Sequence, residues 1–139
     1  MTEQEKTNKT LLYLNNTYKL NLEKTKGQFD LWDAQDNKRI IEFKFRSKYY
    51  QEKYIQLDKF LGLIMAAEYY NKIAFYIVHD ELSKYGYGYY IYNLTELKEK
   101  LIESKIITKK VPYSTEFNKT KKINKYFYIL NQSNQTNQL

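Results

Sequence analysis

The chain contains no cysteine and a single histidine, His79. Without thiols there can be no disulfide framework, no thiolate zinc site and no cysteine nucleophile. One imidazole also removes most zinc-centred and Ser-His-Asp chemistry. No G-x-x-x-x-G-K-[ST] loop occurs, so nothing predicts nucleotide hydrolysis by this chain. Long apolar runs are missing too: no stretch approaches the ~18 residues that would span a bilayer, and Met1 to Thr10 is polar rather than the apolar core of a signal. These absences predict a cytoplasmic protein with no membrane partner, whose working groups are carboxylates and lysines. Oxygen-only ligand sets favour Mg²⁺ or Mn²⁺.

What is present is one domain's worth of chain. At 139 residues, with 42% apolar and 28% charged residues, it is large enough to close one core and too small for two. Residues 1–130 read as that single domain. Asn131 to Leu139, rich in Asn and Gln with almost nothing to bury, reads as a flexible polar tail. The formal charge of +7 points to an anionic partner. Its distribution is uneven: between Lys105 and Lys125 seven lysines face one acid, Glu116.

Periodicity predicts the elements. Thr2 and Glu5 have capping-box spacing before an amphipathic helix over Glu3 to Tyr18. Gln28 to Ala34 and Arg39 to Arg46 read as two strands joined at an Asp36-Asn37 turn. Tyr54 to Tyr70, dense in apolar residues and free of proline, predicts a helix buried against a sheet. Strands follow at Lys72 to His79 and Tyr89 to Tyr92, then a helix capped by Thr95 and running to about Ser104. Pro112 breaks the next loop, and Tyr126 to Leu130 is a last short strand. Helices interleaved with strands in this order fit a mixed sheet with helices packed on it.

The chemistry concentrates on the second strand. Residues two apart on a strand share a face, so Glu42 and Lys44 point together. Ile41, Phe43 and Phe45 take the opposite face, expected to pack on the Tyr54 to Tyr70 helix. One more acid nearby would complete a site for a hard divalent ion, and the first arm of the hairpin offers Asp30 or Asp33. Register decides between them: a two-residue loop gives cross-strand partners an odd residue sum and puts Asp33 on the face of Glu42, whereas a three-residue loop favours Asp30. His79, beside Asp80 at a strand end, reads as a surface or capping residue. Trp32 reads as hairpin packing, and the run Tyr85, Tyr87, Tyr89, Tyr90 and Tyr92 as partly core, with base stacking the alternative.

Asp30 followed by Glu42-Phe43-Lys44 resembles the D…(D/E)-x-K signature of the PD-(D/E)XK nucleases, with Phe29 where the name has proline. The likeness extends over about Leu11 to Tyr92 and includes the order helix, hairpin, helix, strand, strand. It implies an α/β (α+β) fold, a mixed central β-sheet flanked by helices in a restriction-endonuclease-like core. It also implies an Mg²⁺- or Mn²⁺-dependent deoxyribonuclease, structure-specific or weakly sequence-specific, acting as a homodimer where both strands are cut. On that resemblance Asp30 is the first acid, Asp30, Glu42 and the Phe43 carbonyl hold the metal, and Lys44 positions the attacking water. Gln56-Leu57-Asp58-Lys59-Phe60 is similar to the Q-x-x-x-Y motif of the helicase-associated and λ-exonuclease-like branches, with Phe60 in place of tyrosine. Arg46, Lys48, Gln56, Lys59, Lys119, Lys121 and Lys122 are the candidate nucleic-acid contacts. The rival expectation is a nuclease fold without turnover that binds nucleic acid or a protein.

Overall fold

The computed structural model describes residues 1–25, 31–48, 50–81, 88–114 and 118–139, with the side chains of residues 112–121 outside that set. Helix α1 spans Glu3–Tyr18. The Thr2 hydroxyl accepts from the Glu5 backbone N–H at 3.1 Å, the cap the sequence predicts. Strand β1 (Glu23–Lys24) leads to β2 (Ala34–Gln35), which pairs with β3 (Arg39–Arg46). The expected strand over Gln28 to Ala34 is therefore only its last residue among those described; Leu31 to Asp33 bend instead, and Gln28 to Asp30 lie outside the described residues.

The helix expected from Tyr54 begins three residues later. Strand β4 occupies Lys53–Gln56 and helix α2 runs Leu57–Tyr70. Lys53 and Ile55 are buried while Tyr54 and Gln56 are half-exposed, the period-2 burial of a strand. Strands β5 (Ile73–Asp80) and β6 (Gly88–Asn93) come next. Helix α3 (Leu94–Ile102) is capped by Asn93, whose Oδ1 accepts from the Glu96 N–H, and not by Thr95. The Thr95 hydroxyl accepts instead from the Ala74 N–H at 2.9 Å, tying α3 to β5.

The five-stranded sheet has the order β1-β2-β3-β5-β6. β3 and β5 are parallel and the other pairs antiparallel, so the sheet is mixed, with β3 at its centre. The crossover from β3 to β5 passes through α2, as parallel neighbours require. α1 covers one face: Leu11 and Leu14 pack with Ile41, Phe43, Phe75 and Ile77. α2 and α3 cover the other, where Phe60, Leu63 and Leu101 meet Ile40, Tyr76, Val78 and Tyr92. The expected partner of Ile41 and Phe43 is thus corrected. They bury against α1, and α2 lies on the face of Glu42.

A second sheet was not foreseen. β7 (Ile106–Ser114) and β8 (Asn118–Leu130) form a long hairpin, and β4 adds to β8 to give the order β4-β8-β7. The expected broken loop around Pro112 is an edge strand with a register irregularity between Pro112 and Ser114. Proline is tolerated at an edge because its missing N–H deprives no neighbouring strand of a bond. β4 pairs only as far as Gln56 with Phe127, so towards Asn118 the lysine-rich part is a two-stranded ribbon. Ile55, Tyr128 and Leu130 carry the sheet into the α2-side core.

Residues 131–139, expected as a free tail, lie along the body. A short 3₁₀ turn (Gln132–Asn134), a bridge from Thr136 to Ile91, and a hydrogen bond from Arg39 to the Leu139 carbonyl at 2.6 Å hold them there. Polar bonding, which hydropathy does not register, ties this segment down. Among the described residues no helix is long and apolar enough to cross a membrane.

Candidate active site

The β2-β3 turn fixes the acids. Gln35 pairs with Ile40 and Ala34 with Ile41, and the Asp36 N–H donates to the Arg39 carbonyl at 3.1 Å. The Asp36 carboxylate accepts from the backbone of Lys38 and Arg39 and pairs with the Arg39 guanidinium, which pins the tight loop. Just before β2 the Asp33 N–H donates to the Ile41 carbonyl at 2.9 Å, the same residue that Ala34 faces, so the ladder bulges at Asp33. Asp33 Oδ2 accepts from the Phe43 N–H at 2.8 Å, continuing the ladder with a side chain where β2 has ended. In an antiparallel ladder the N–H and C=O of one residue point the same way, so the Phe43 carbonyl leaves the strand on the Asp33 side. Asp30 lies outside the described residues.

Glu42 is mostly buried, its side chain 16% exposed. Burial first, and then the negative charge of Asp33, push its carboxyl up to about 7, against the opposing pull of Lys59 and Lys44. Burial likewise raises Asp33, with the Phe43 hydrogen bond and Lys59 pulling it down. Burial and then the Arg46 charge lower Lys44, opposed by Glu42 and Glu3. Lys59, from α2, sets its ammonium 3.4 Å from Glu42 Oε1. Desolvation and like-charge crowding therefore act on both acids together.

Two hard oxygen donors held near each other, both raised by burial, suit a divalent cation that keeps several of its own waters. Among the described residues no cluster of three or more Asp, Glu or His groups forms a fuller cage. The donors available, Asp33, Glu42 and the Phe43 carbonyl, are all oxygen, a chemistry that suits an Mg²⁺-like ion rather than zinc.

Glu42, Lys44, Arg46, Gln56 and Lys59 meet in one cleft of about 90 Å³. Gln56 stands at the start of α2 with no side-chain capping bond. Lys48 is exposed just beyond β3 and outside that cleft. Lys122 is exposed on β8 five residues from Phe127, roughly 16 Å along the strand. The side chains of Lys119 and Lys121 lie outside the described set.

Among solved structures, the chain is similar to the 1.6 Å structure of Archaeoglobus fulgidus Hjc, a Holliday junction resolvase from an archaeal hyperthermophile. The TM-score is 0.55 at 13% identity, covering 95% of this chain and 86% of that one. The fold is shared. No family model and no curated protein matches the sequence. A mixed central sheet flanked by helices, the restriction-endonuclease-like architecture, is the fold of this chain.

Several residues of the site escaped the sequence. Tyr76 enters because parallel pairing sets it beside Glu42, a register with no local signal. Glu3, in the first turn of α1, acts electrostatically on both Asp33 and Lys44. Tyr54 and Lys109 come from the unforeseen sheet. His79 stacks on Tyr89 with centroids 4.1 Å apart, on the α1 side of the sheet. Trp32 donates to Gln35 and packs on Tyr70, as hairpin packing requires. Tyr92 is core, Tyr89 and Tyr90 are half-buried, and Tyr85 and Tyr87 lie outside the described residues.

Proposed function

We propose that this chain is a divalent-metal-dependent deoxyribonuclease that hydrolyses phosphodiester bonds with structural or weak sequence preference. The observation that carries the reading is the Asp33 carboxylate bonded to the Phe43 N–H, close enough to Glu42 to raise it, with Lys44 beside Glu42 on the central strand. The fold likeness to a Holliday junction resolvase makes branched DNA the first substrate to test. On its hydrogen bond to Phe43 and its effect on Glu42, Asp33 takes the role of first acid in preference to Asp30.

When bound, a divalent ion supplies Lewis acidity and a water made nucleophilic at neutral pH. Asp33, Glu42 and the Phe43 carbonyl hold it. Lys44, half-buried and with a lowered pKa, orients the water and holds the scissile phosphate. Arg46 follows on the same face, and Gln56 and Lys59 from α2 face the flanking backbone. The β7-β8 ribbon, with Lys119, Lys121 and Lys122, grips phosphates without reading bases; a two-stranded ribbon has the width that a DNA major groove admits. A homodimer would give two such sites for two strands.

A second reading has one observation in its favour. The Lys59 ammonium already neutralises Glu42 as a cation would, the arrangement expected of a nuclease fold that binds without cutting. One experiment separates them: incubate the protein with plasmid, four-way junction, single-stranded DNA and RNA, each with Mg²⁺, Mn²⁺ or EDTA. Metal-dependent cleavage of DNA, lost in Glu42→Gln, supports the nuclease. Binding with no cleavage under any condition gives the second reading the field.

A further inference from the structure

Next to the acids lies a second, larger hollow. Lys44, Arg46, Tyr54, Tyr76 and Phe127 line the cleft that holds Glu42 and also a contiguous space of about 230 Å³. Its floor is the sheet: Tyr76 and Val78 stand on β5 opposite Glu42 and Lys44 by parallel register. Its far wall is the second sheet, with Tyr54 on β4, Val111 on β7 and Phe127 on β8. The Tyr54 and Phe127 rings meet edge to face at 6.2 Å. The Tyr76 hydroxyl is committed to the Tyr54 carbonyl at 3.2 Å, so this ring presents a fixed surface. Tyr50 closes another side beneath the Arg46 guanidinium, 5.9 Å from its ring centroid.

We propose that this hollow receives one unpaired nucleotide of the DNA, its base among the rings and its phosphate directed to Lys44 and Arg46. The inference rests on the nuclease reading of the neighbouring strand and adds the class of substrate. An aromatic wall is a sequence-tolerant platform for a base, because every base has a π-face. Cations at the mouth shared with Glu42 place the adjoining phosphate against the acids. In an intact duplex no base can enter, since its faces are covered by stacking, whereas a bulged, frayed or single-stranded nucleotide enters without the cost of unpairing.

Tyr54 carries the clearest mark of this use. The exposed Lys109 ammonium lies 3.5 Å from the centroid of its ring, on a face where a base would stack. Lys109 is on the rim of the hollow and can swing to a phosphate as the base displaces it. The Tyr54 hydroxyl is held by Glu52 at 2.5 Å, which fixes the ring's tilt. Glu52 lines the hollow but not the cleft of Glu42, so its charge is set away from the phosphate end.

The test uses binding in EDTA, where cleavage cannot intervene. Fluorescence anisotropy compares a fully paired duplex with the same duplex carrying a single-nucleotide bulge. The wild-type protein is expected to bind the bulge about tenfold more tightly, the scale of one base-aromatic stack. With 5-iododeoxyuridine as the bulged base, irradiation should crosslink it to Tyr54, Tyr76 or Phe127. Tyr54→Leu, which keeps bulk without the ring, and Val111→Trp, which fills the hollow, should each bring the ratio close to one. Equal wild-type affinity for the two duplexes, or a crosslink mapping elsewhere, overturns the proposal even if a variant fails to fold. Wild-type plasmid cleavage with Mg²⁺ is scored separately. Cleavage without bulge preference sinks the pocket alone, and bulge preference without cleavage sinks the nuclease reading alone.

Discussion

The Lys59 ammonium lies 3.4 Å from Glu42 Oε1, across the gap between α2 and the central strand. This lysine pulls the Glu42 carboxyl downward while burial and Asp33 push it up to about 7. Lys59→Met should therefore move the Glu42 titration to higher pH. Carbon-13 NMR of the glutamate carboxyls, followed from pH 5 to 9, reads the shift; a midpoint that stays in place would mean that the ion pair does not form in solution.

Stability of the metal-free protein should fall as the pH rises towards neutrality. Glu42 titrates near 7 in the fold and near the ordinary glutamate value when unfolded. Between those values the native state binds more protons, and stability declines with pH in that window before levelling off above it. A shift of this size corresponds to at most about 3 kcal/mol. Glu42→Gln removes that dependence, and Mg²⁺ or Mn²⁺ should restore the wild-type melting temperature at pH 8. Thermal melts across pH 4 to 9, with and without metal, check all three expectations.

The roles at the site separate by variant. Glu42→Gln and Asp33→Asn should lose metal binding and cleavage together, because an amide lacks the charge that holds a hard cation. Lys44→Ala should keep metal binding and lose roughly a hundredfold in turnover. Asp30→Asn should be nearly silent. Calorimetric Mn²⁺ titration beside a cleavage assay distinguishes the two classes, and a dead Asp30→Asn with an active Asp33→Asn would reverse the assignment of the first acid.

Neutralising Lys119, Lys121 and Lys122 together should weaken DNA binding and flatten its dependence on salt. Each lost phosphate contact removes about one unit of slope from a log-log plot of affinity against salt. Cleavage at saturating DNA should change less. An unaltered slope in the triple variant would show the ribbon turned away from the substrate.

A buried ion pair joins the two sheets: Lys53 of β4 donates to Asp80 of β5 at 2.8 Å, both almost fully buried. Asp80 Oδ1 has no hydrogen-bond partner, so the carboxylate depends heavily on that lysine. Lys53→Met should cost about 3–5 kcal/mol by stranding the acid. The double change Lys53→Met with Asp80→Leu should recover much of it. Urea titrations of the three variants measure the difference, and additive losses would contradict the coupling.

Where a signal is local, the sequence was enough. The Thr2 cap, the stripe of Leu11 and Leu14, and the alternation Ile41-Glu42-Phe43-Lys44 each declare an element through its own period, and the elements found match them. The odd register of Ala34 with Ile41 is one of two that the sequence allows, because loop length cannot be read from Asp36-Asn37 alone. The side of the sheet that α2 covers was missed, since the alternation shows which residues face together and not which helix they meet. The β7-β8 ribbon was missed for another reason: lysines on nearly every turn of the pattern mask the alternation of Ile107, Lys109, Val111, and a proline reads as a break. Tyr54, Tyr76 and Phe127 come together only through pairing between strands far apart in the chain, which no window of sequence contains.

That last pairing sets an order of events during synthesis. Lys53 pairs with Leu130, so β4 has no partner until synthesis has passed β8. Asp33, Glu42 and Lys44 can be in place on the central sheet long before Phe127 arrives to wall the hollow beside them. A nascent chain halted before Tyr126 would carry Glu42 and Lys44 on a more open surface, without the Phe127 wall of the cleft. The wall of the hollow is therefore completed by a strand made long after β3 and β4, and until β8 docks that side of the cleft stands open.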